Sequence, residues 1–154
     1  MNGLLEGIAK NGLTLYLFGS KPGIAARAKA KIEERYPDIK IVGVSDGYFD
    51  SEREKEILSD INAKSPDVLA VCLGSPKQEL WVYNNRERLN VKVTLCGGGS
   101  LDVLAGEVKR APQFFINLGL EWLYRIASQP SRWGRAMELP RFVLAVFAHK
   151  LRKG

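Results

Sequence analysis

Between Asp67 and Pro112 the chain reads DVLAVCLGSPKQELWVYNNRERLNVKVTLCGGGSLDVLAGEVKRAP, and this stretch restricts the fold more than any other. Two short apolar runs, Val68 to Leu73 and Val91 to Cys96, are rich in β-branched residues and bounded by Gly or Asp. Runs of this kind predict strands buried on both faces, as in a parallel sheet. Each leads into a loop of small and polar residues and then into a helical pattern. In open α/β sheets, loops at the carboxyl ends of parallel strands are where ligands bind.

The preceding residues repeat the same unit. Met1 to Asn11 predicts a helix that stops at Asn11-Gly12, and Thr14 to Phe18 predicts a strand. Gly19-Ser20-Lys21-Pro22-Gly23 then opens a helix running to about Tyr36, with Pro22 suited to its first turn. Ile39 to Val44 predicts the next strand and Glu52 to Ala63 the next helix. The order βαβαβαβ with short connections dictates a parallel sheet with right-handed crossovers. The fold class expected is α/β, a Rossmann-like parallel sheet with flanking helices and a basic helical C-terminal appendage. Residues 1–117 are assigned to the α/β domain and 118–154 to the appendage.

Gly74-Ser75-Pro76-Lys77-Gln78-Glu79 follows the first strand of the organising stretch, and Gly97-Gly98-Gly99-Ser100-Leu101-Asp102 follows the second. Glycine lets a backbone approach a ligand closely, and free N–H groups attract phosphate or carboxylate. Both loops are candidates for an anionic, nucleotide-like group. A tight turn also needs glycine for its own sake. Adjacent parallel strands would deliver both loops to one rim, where Lys77 and Gln78 are the side chains expected. The loop at Gly19 to Gly23 lacks the Gly-Lys-Ser/Thr ending of a phosphate-binding P-loop and is not G-x-G-x-x-G.

Most standard catalytic sets are missing. The single histidine, His149, falls in the tail, which argues against Ser-His-Asp or Cys-His devices and against a histidine-built metal site. There is no Asp-x-Asp pair, and neither a metal nor a cofactor is expected. Asp46, Asp50, Glu79 and Asp102 lie at strand ends, where each is a candidate general base and equally a helix cap.

With 154 residues the chain is long enough to bury a substantial core as one domain. Its two cysteines, Cys72 and Cys96, fall at predicted strand ends inside the sheet, and free thiols in a reducing cytoplasm are expected. No apolar run approaches the roughly 20 residues that span a bilayer, and no signal segment opens the chain. Charge is uneven: from Gly119 onward seven basic residues face two acidic ones, most of the overall +6. Pro130 and Pro140 divide this tail into three predicted helices. Arg125, Arg132 and Arg135 share one helical face if the path bends little at Pro130. That face reads either as the wet side of a packed helix pair or as a patch that meets anionic lipid headgroups.

Five segments, LFGSKPGIAARA, VGVSDGYFD, LGSPKQELW, CGGGSLDVLAGEVKRAP and LGLEWLYRIASQPSRWGR, together resemble the WecG/TagA/CpsF glycosyltransferase family, in the family's order and over about residues 4 to 150. The resemblance implies an inverting enzyme that transfers N-acetylmannosamine, or its uronate, from a UDP-sugar to undecaprenyl-diphosphate-linked N-acetylglucosamine. Teichoic acid, common antigen or capsule synthesis is the setting. It implies donor binding by Gly19, Ser20, Lys21, Gly74, Lys77 and Gly97 to Gly99, with Gln78 at a family position near the reacting sugar. Arg125, Arg132 and Arg135 would meet the acceptor diphosphate and an anionic membrane surface, at the inner face of the bacterial cell membrane.

Family members are usually longer, with an N-terminal section that carries the aspartate regarded as general base. The chain opens at what resembles the middle of a member, which reads as a truncated form, as a split half completed by a homo-oligomer or a second chain, or as a short variant with another base such as Asp46 or Asp102. The competing reading is a catalytically incomplete module that binds a nucleotide-sugar or a membrane. Nucleic-acid binding, suggested only by the basic tail, is the weakest reading and is not expected.

Overall fold

A computed structural model of the chain describes residues 2–108 together with 114, 115 and 118. The chain divides into two units, Met1–Lys109 and Arg110–Gly154. The tail helices and Arg125, Arg132 and Arg135 lie outside the described residues. All the helices and strands named below belong to the first unit.

Helix α1 (Asn2–Lys10) buries Leu5 and Ile8. It stops where the composition requires: Gly12 takes φ 64°, its N–H donates to the Ala9 carbonyl, and the Leu13 N–H reaches back to the Ile8 carbonyl. That pair of bonds satisfies the last carbonyls of the helix and depends on a residue that tolerates the left-handed region. Then come β1 (Thr14–Gly19), α2 (Ile24–Arg35), β2 (Lys40–Ser45), α3 (Ser51–Lys64), β3 (Val68–Cys72), α4 (Lys77–Asn85), β4 (Val93–Cys96) and α5 (Ser100–Leu104).

All strand pairs are parallel, in the order β2-β1-β3-β4. Successive side chains on a strand alternate between faces. Leu15 and Leu17 of β1 join Val68, Ala70 and Cys72 of β3 beneath α1, α2 and α5. Tyr16 and Phe18 join Leu69 and Val71 on the other face with Ile57, Leu58 and Ile61 of α3 and Trp81 of α4. Helices therefore cover both faces, as a parallel sheet demands. Tyr16 carries a hydroxyl into the second layer. It donates to Asp60 at 2.6 Å and lies 2.7 Å from the Ser45 hydroxyl, so burial and the Asp60 carboxylate hold it well above the usual phenol range.

The chain leaves β1 through α2 toward β2, then returns through α3 across β1 to β3. The strand order thus reverses between β1 and β3, and such a switch point opens a crevice at the carboxyl ends of the strands. At the opposite, amino end, Asp67 ties three strands together. It accepts from the Thr14 N–H and hydroxyl, each at 2.8 Å, and pairs with Lys92 at 2.6 Å.

The structure corrects three expectations. Pro22 does not enter the helix: it lies in a turn, and α2 begins at Ile24 behind Gly23, whose φ of 81° is left-handed. The last strand is shorter than expected, Val93–Cys96, and is not buried on both faces: among the described residues β4 is the sheet edge, with Val93 and Cys96 exposed. An apolar run signals burial of a strand but not its place in the sheet, and an edge strand has a neighbour on one side only. Cys96 is therefore an exposed thiol, not a residue inside the sheet. It stays free because it pairs in register with Val71 and shares that residue's face, while Cys72 turns to the other.

Candidate functional site at the switch point

The crevice is built by the backbone before any side chain enters it. Gly19 ends β1 at φ 131°, and a Cβ there would collide with the carbonyl carbon and oxygen of Cys72. Only glycine lets the two strand ends meet this closely. The following N–H, that of Ser20, donates to the Cys72 carbonyl at 3.0 Å, and the Gly47 N–H donates to the Ser20 carbonyl at 2.8 Å. Gly47 is constrained less, since a Cβ there would stand 2.7 Å from Leu73 Cδ2, a side-chain end that can shift, and 3.2 Å from the Gly19 and Ser20 backbone. The loops after β1, β2 and β3 are thus joined through one residue, Ser20.

Ser20 itself has φ 63°, a left-handed conformation uncommon for a residue with a Cβ. Its hydroxyl donates to Asp102 Oδ1 at 2.7 Å and brings in the loop after β4. Asp46 serves its own loop, where Oδ1 accepts the Tyr48 N–H at 3.0 Å, and Asp50 caps α3 by accepting the Arg53 N–H at 2.8 Å.

Lys77, exposed at the start of α4, reaches the β2–α3 loop, where its ammonium donates to the Gly47 carbonyl at 3.3 Å and sits 4.6 Å from the centroid of the Phe49 ring. Phe49, Phe18 and Trp81 form a tilted aromatic stack with centroids 5.5 and 4.7 Å apart beneath it. Neighbouring Gln78 is 4 % exposed. Its Oε1 accepts the Gly98 N–H at 2.9 Å and its Nε2 donates to Glu79 Oε1 at 2.8 Å. That donor, with the backbone of Glu79, holds the Glu79 carboxyl below its ordinary range.

The glycine loop after β4 is largely satisfied within the protein. Gly97 N–H donates to the Val71 carbonyl at 2.8 Å, Gly98 N–H to Gln78, and Ser100 N–H to the Gly97 carbonyl at 3.1 Å. Gly74 and Gly98 take φ of 80° and 58°, so the sequence signal of glycine in both loops corresponds to turns that need it. Lys21 is exposed beside Ser20. Of the residues singled out from sequence, Gly19, Ser20, Gly74, Lys77, Gln78, Gly97 to Gly99, Asp46 and Asp102 all fall on loops or first helical turns at this rim.

Gly47 and Phe49 were missed as site residues, although Asp-Gly in SDGYFD is a turn signal that could have drawn attention to them. The bonds Ser20–Asp102 and Gln78–Gly98 had no local signal, since they join residues 82 and 20 positions apart. Among the described residues no group of three or more His, Cys, Asp or Glu side chains is placed to hold a metal ion.

A two-sided parallel sheet with four strand-end loops gathered at its switch point defines a Rossmann-like α/β domain, and in such folds that rim is where ligands bind. The chain belongs to the glycosyl transferase WecG/TagA/CpsF family, whose family model matches residues 1–154. It is 37% identical over 147 residues to the N-acetylglucosaminyldiphosphoundecaprenol N-acetyl-beta-D-mannosaminyltransferase of Bacillus spizizenii. That match covers 96% of the chain and 56% of the relative, so the chain spans little more than half the relative's length.

Proposed function

We propose that the chain is a UDP-sugar-dependent, inverting glycosyltransferase, or the donor-binding part of one. It transfers N-acetylmannosamine or its uronate to undecaprenyl-diphosphate-linked N-acetylglucosamine for cell-surface polysaccharide or teichoic acid synthesis. The observation that carries this reading is the 37% identity over 147 residues to the mannosaminyltransferase, in a chain whose strand-end loops meet at one rim through Ser20–Asp102 and Lys77–Gly47.

The chemistry asks for three things. A diphosphate leaving group needs cationic or N–H stabilisation where charge develops. Lys77, held by a single long bond to Gly47 and by the Phe49 ring, can turn its ammonium to a phosphate at little cost, and Lys21 lies on the adjoining loop. The glycines at 19, 74 and 97 to 99 admit the ligand close to the backbone. An acceptor hydroxyl needs a base; Asp102 and Asp46 are the candidates at this rim, where Asp50 caps α3 and Glu79 accepts from Gln78. Each has one carboxylate oxygen engaged within the protein, Asp102 by the Ser20 hydroxyl and Asp46 by the Tyr48 N–H. Gln78 supports the reaction indirectly through the Gly98 loop, since both ends of its amide are engaged within the protein.

The basic tail would add the acceptor diphosphate and an anionic membrane surface through Arg125, Arg132 and Arg135, with the protein peripheral at the cytoplasmic face. No helix among the described residues is long and apolar enough to cross a membrane. Arg132→Glu should weaken binding to anionic liposomes and leave UDP affinity unchanged; unaltered liposome binding would remove the membrane patch from the proposal.

The test of function is isothermal titration of UDP into the purified chain, then a UDP-release assay with UDP-N-acetylmannosamine and a lipid-diphosphate N-acetylglucosamine acceptor. Binding with release supports transfer by this chain. Binding without release supports a donor-binding module that needs a further segment or chain, and absence of binding refutes the nucleotide reading.

A further inference from the structure

We propose that Ser20 is a positioning residue that sets the Asp102 carboxylate for the bound ligand, a role that rests on the nucleotide-sugar reading above. Ser20 occupies φ 63°, a region that glycine enters freely and serine rarely does. The chain already uses glycine at positive φ on both sides of it, at Gly19 and Gly23. A serine in a left-handed conformation at the switch-point rim points to a task for its side chain.

The side chain's partner supplies the task. The hydroxyl donates to Asp102 Oδ1 at 2.7 Å, within the range of an O–H···O⁻ bond. The left-handed turn makes this possible, because it sends Ser20 toward the loop after β4 while its N–H and carbonyl hold the loops after β3 and β2. With Oδ1 engaged, the carboxylate plane is set, and Oδ2, which takes no bond among the described residues, is left to accept from a hydroxyl of the bound nucleotide. Ser20 thus acts through Asp102 and need not touch the ligand.

Titration of UDP into the chain and its variants tests this role. Glycine suits φ 63° and removes only the hydroxyl, so Ser20→Gly should fold and bind UDP about tenfold more weakly, the usual scale for one hydrogen bond to a charged group. Asn also tolerates the left-handed region, and its amide can donate to Asp102, so Ser20→Asn should stay within about threefold of wild type.

Asp102→Ala should weaken binding by at least as much as Ser20→Gly, and the double variant should be no weaker than Asp102→Ala alone. Additive losses would show that Ser20 acts independently of Asp102 and would overturn the proposal, as would wild-type affinity in Ser20→Gly. Absence of UDP binding by the wild-type chain would instead refute the nucleotide reading and this role with it.

Discussion

Gln78 is the residue at this rim whose replacement gives the most specific energetic signature. Its side chain is buried, and its two amide groups make opposite demands: Oε1 accepts from Gly98 N–H, while Nε2 donates to the Glu79 carboxylate. Gln78→Met conserves much of the volume and removes both bonds. The part-buried Gly98 N–H then loses its acceptor, at a cost of about 1–3 kcal/mol. The extra apolar burial of Met offsets only part of this, so a net loss of about 1–2 kcal/mol is expected. At roughly 4 °C per kcal/mol for a chain of this length, the melting midpoint should fall by about 4–8 °C.

Gln78→Glu keeps an acceptor for Gly98 but sets a second carboxylate against Glu79 in place of a donor. In the wild type, the bond from Gln78 lowers the folded Glu79 carboxyl, so it contributes stability above the unfolded carboxylate range and loses it as pH falls. In Gln78→Glu the sign reverses: repulsion raises the folded carboxyls, and the penalty is present at neutral pH and relieved on acidification. Urea denaturation of the three proteins at about pH 7 and about pH 4.5, on either side of the onset of carboxylate titration, measures this. The Met variant should lose stability at both values, the Glu variant mainly at neutral pH. A Glu variant whose deficit is the same at both, or a Met variant as stable as wild type, would refute the bridging role of the amide.

Gly19→Ala should lower stability by about 3 kcal/mol or more, because a Cβ would strike the Cys72 carbonyl in a left-handed conformation, and a soluble variant with an unchanged urea midpoint would contradict the close approach of β1 and β3. Asp67 is held well below the usual carboxylate range by Lys92 and then by Thr14, so its contribution is present above about pH 4 and lost as pH falls toward its folded value. Asp67→Asn should therefore lower the melting midpoint at neutral pH, with the difference from wild type shrinking in acid; a gap independent of pH would count against it. Burial pushes the Cys72 thiol up to about 12, whereas Cys96 is exposed and raised less, chiefly by its partial burial. A thiol reagent at about pH 8 should modify Cys96 readily and Cys72 only on unfolding, and two fast thiols would show that the β3 end is open.

The alternation of strands and helices was legible residue by residue, because period-two and helical apolar patterns, β-branched runs and Gly or Asp stops are local properties. The glycine loops were legible for the same reason, since left-handed turns such as those at Gly74 and Gly98 restrict residue type wherever they occur. Which strands are neighbours is not a local property. The order β2-β1-β3-β4 follows from helices packing on both faces, and no single segment carries it. That order exposes β4 at the edge and its Cys96, although the run ending there reads like the buried β3.

The same order brings Ser20 to Asp102 across 82 positions and makes Gln78, expected from sequence as a side chain of the binding site, a buried brace for Gly98. Hydrogen bonds between strand-end loops have no period and leave no trace in composition. They exist only because parallel strands deliver all their carboxyl ends to one rim.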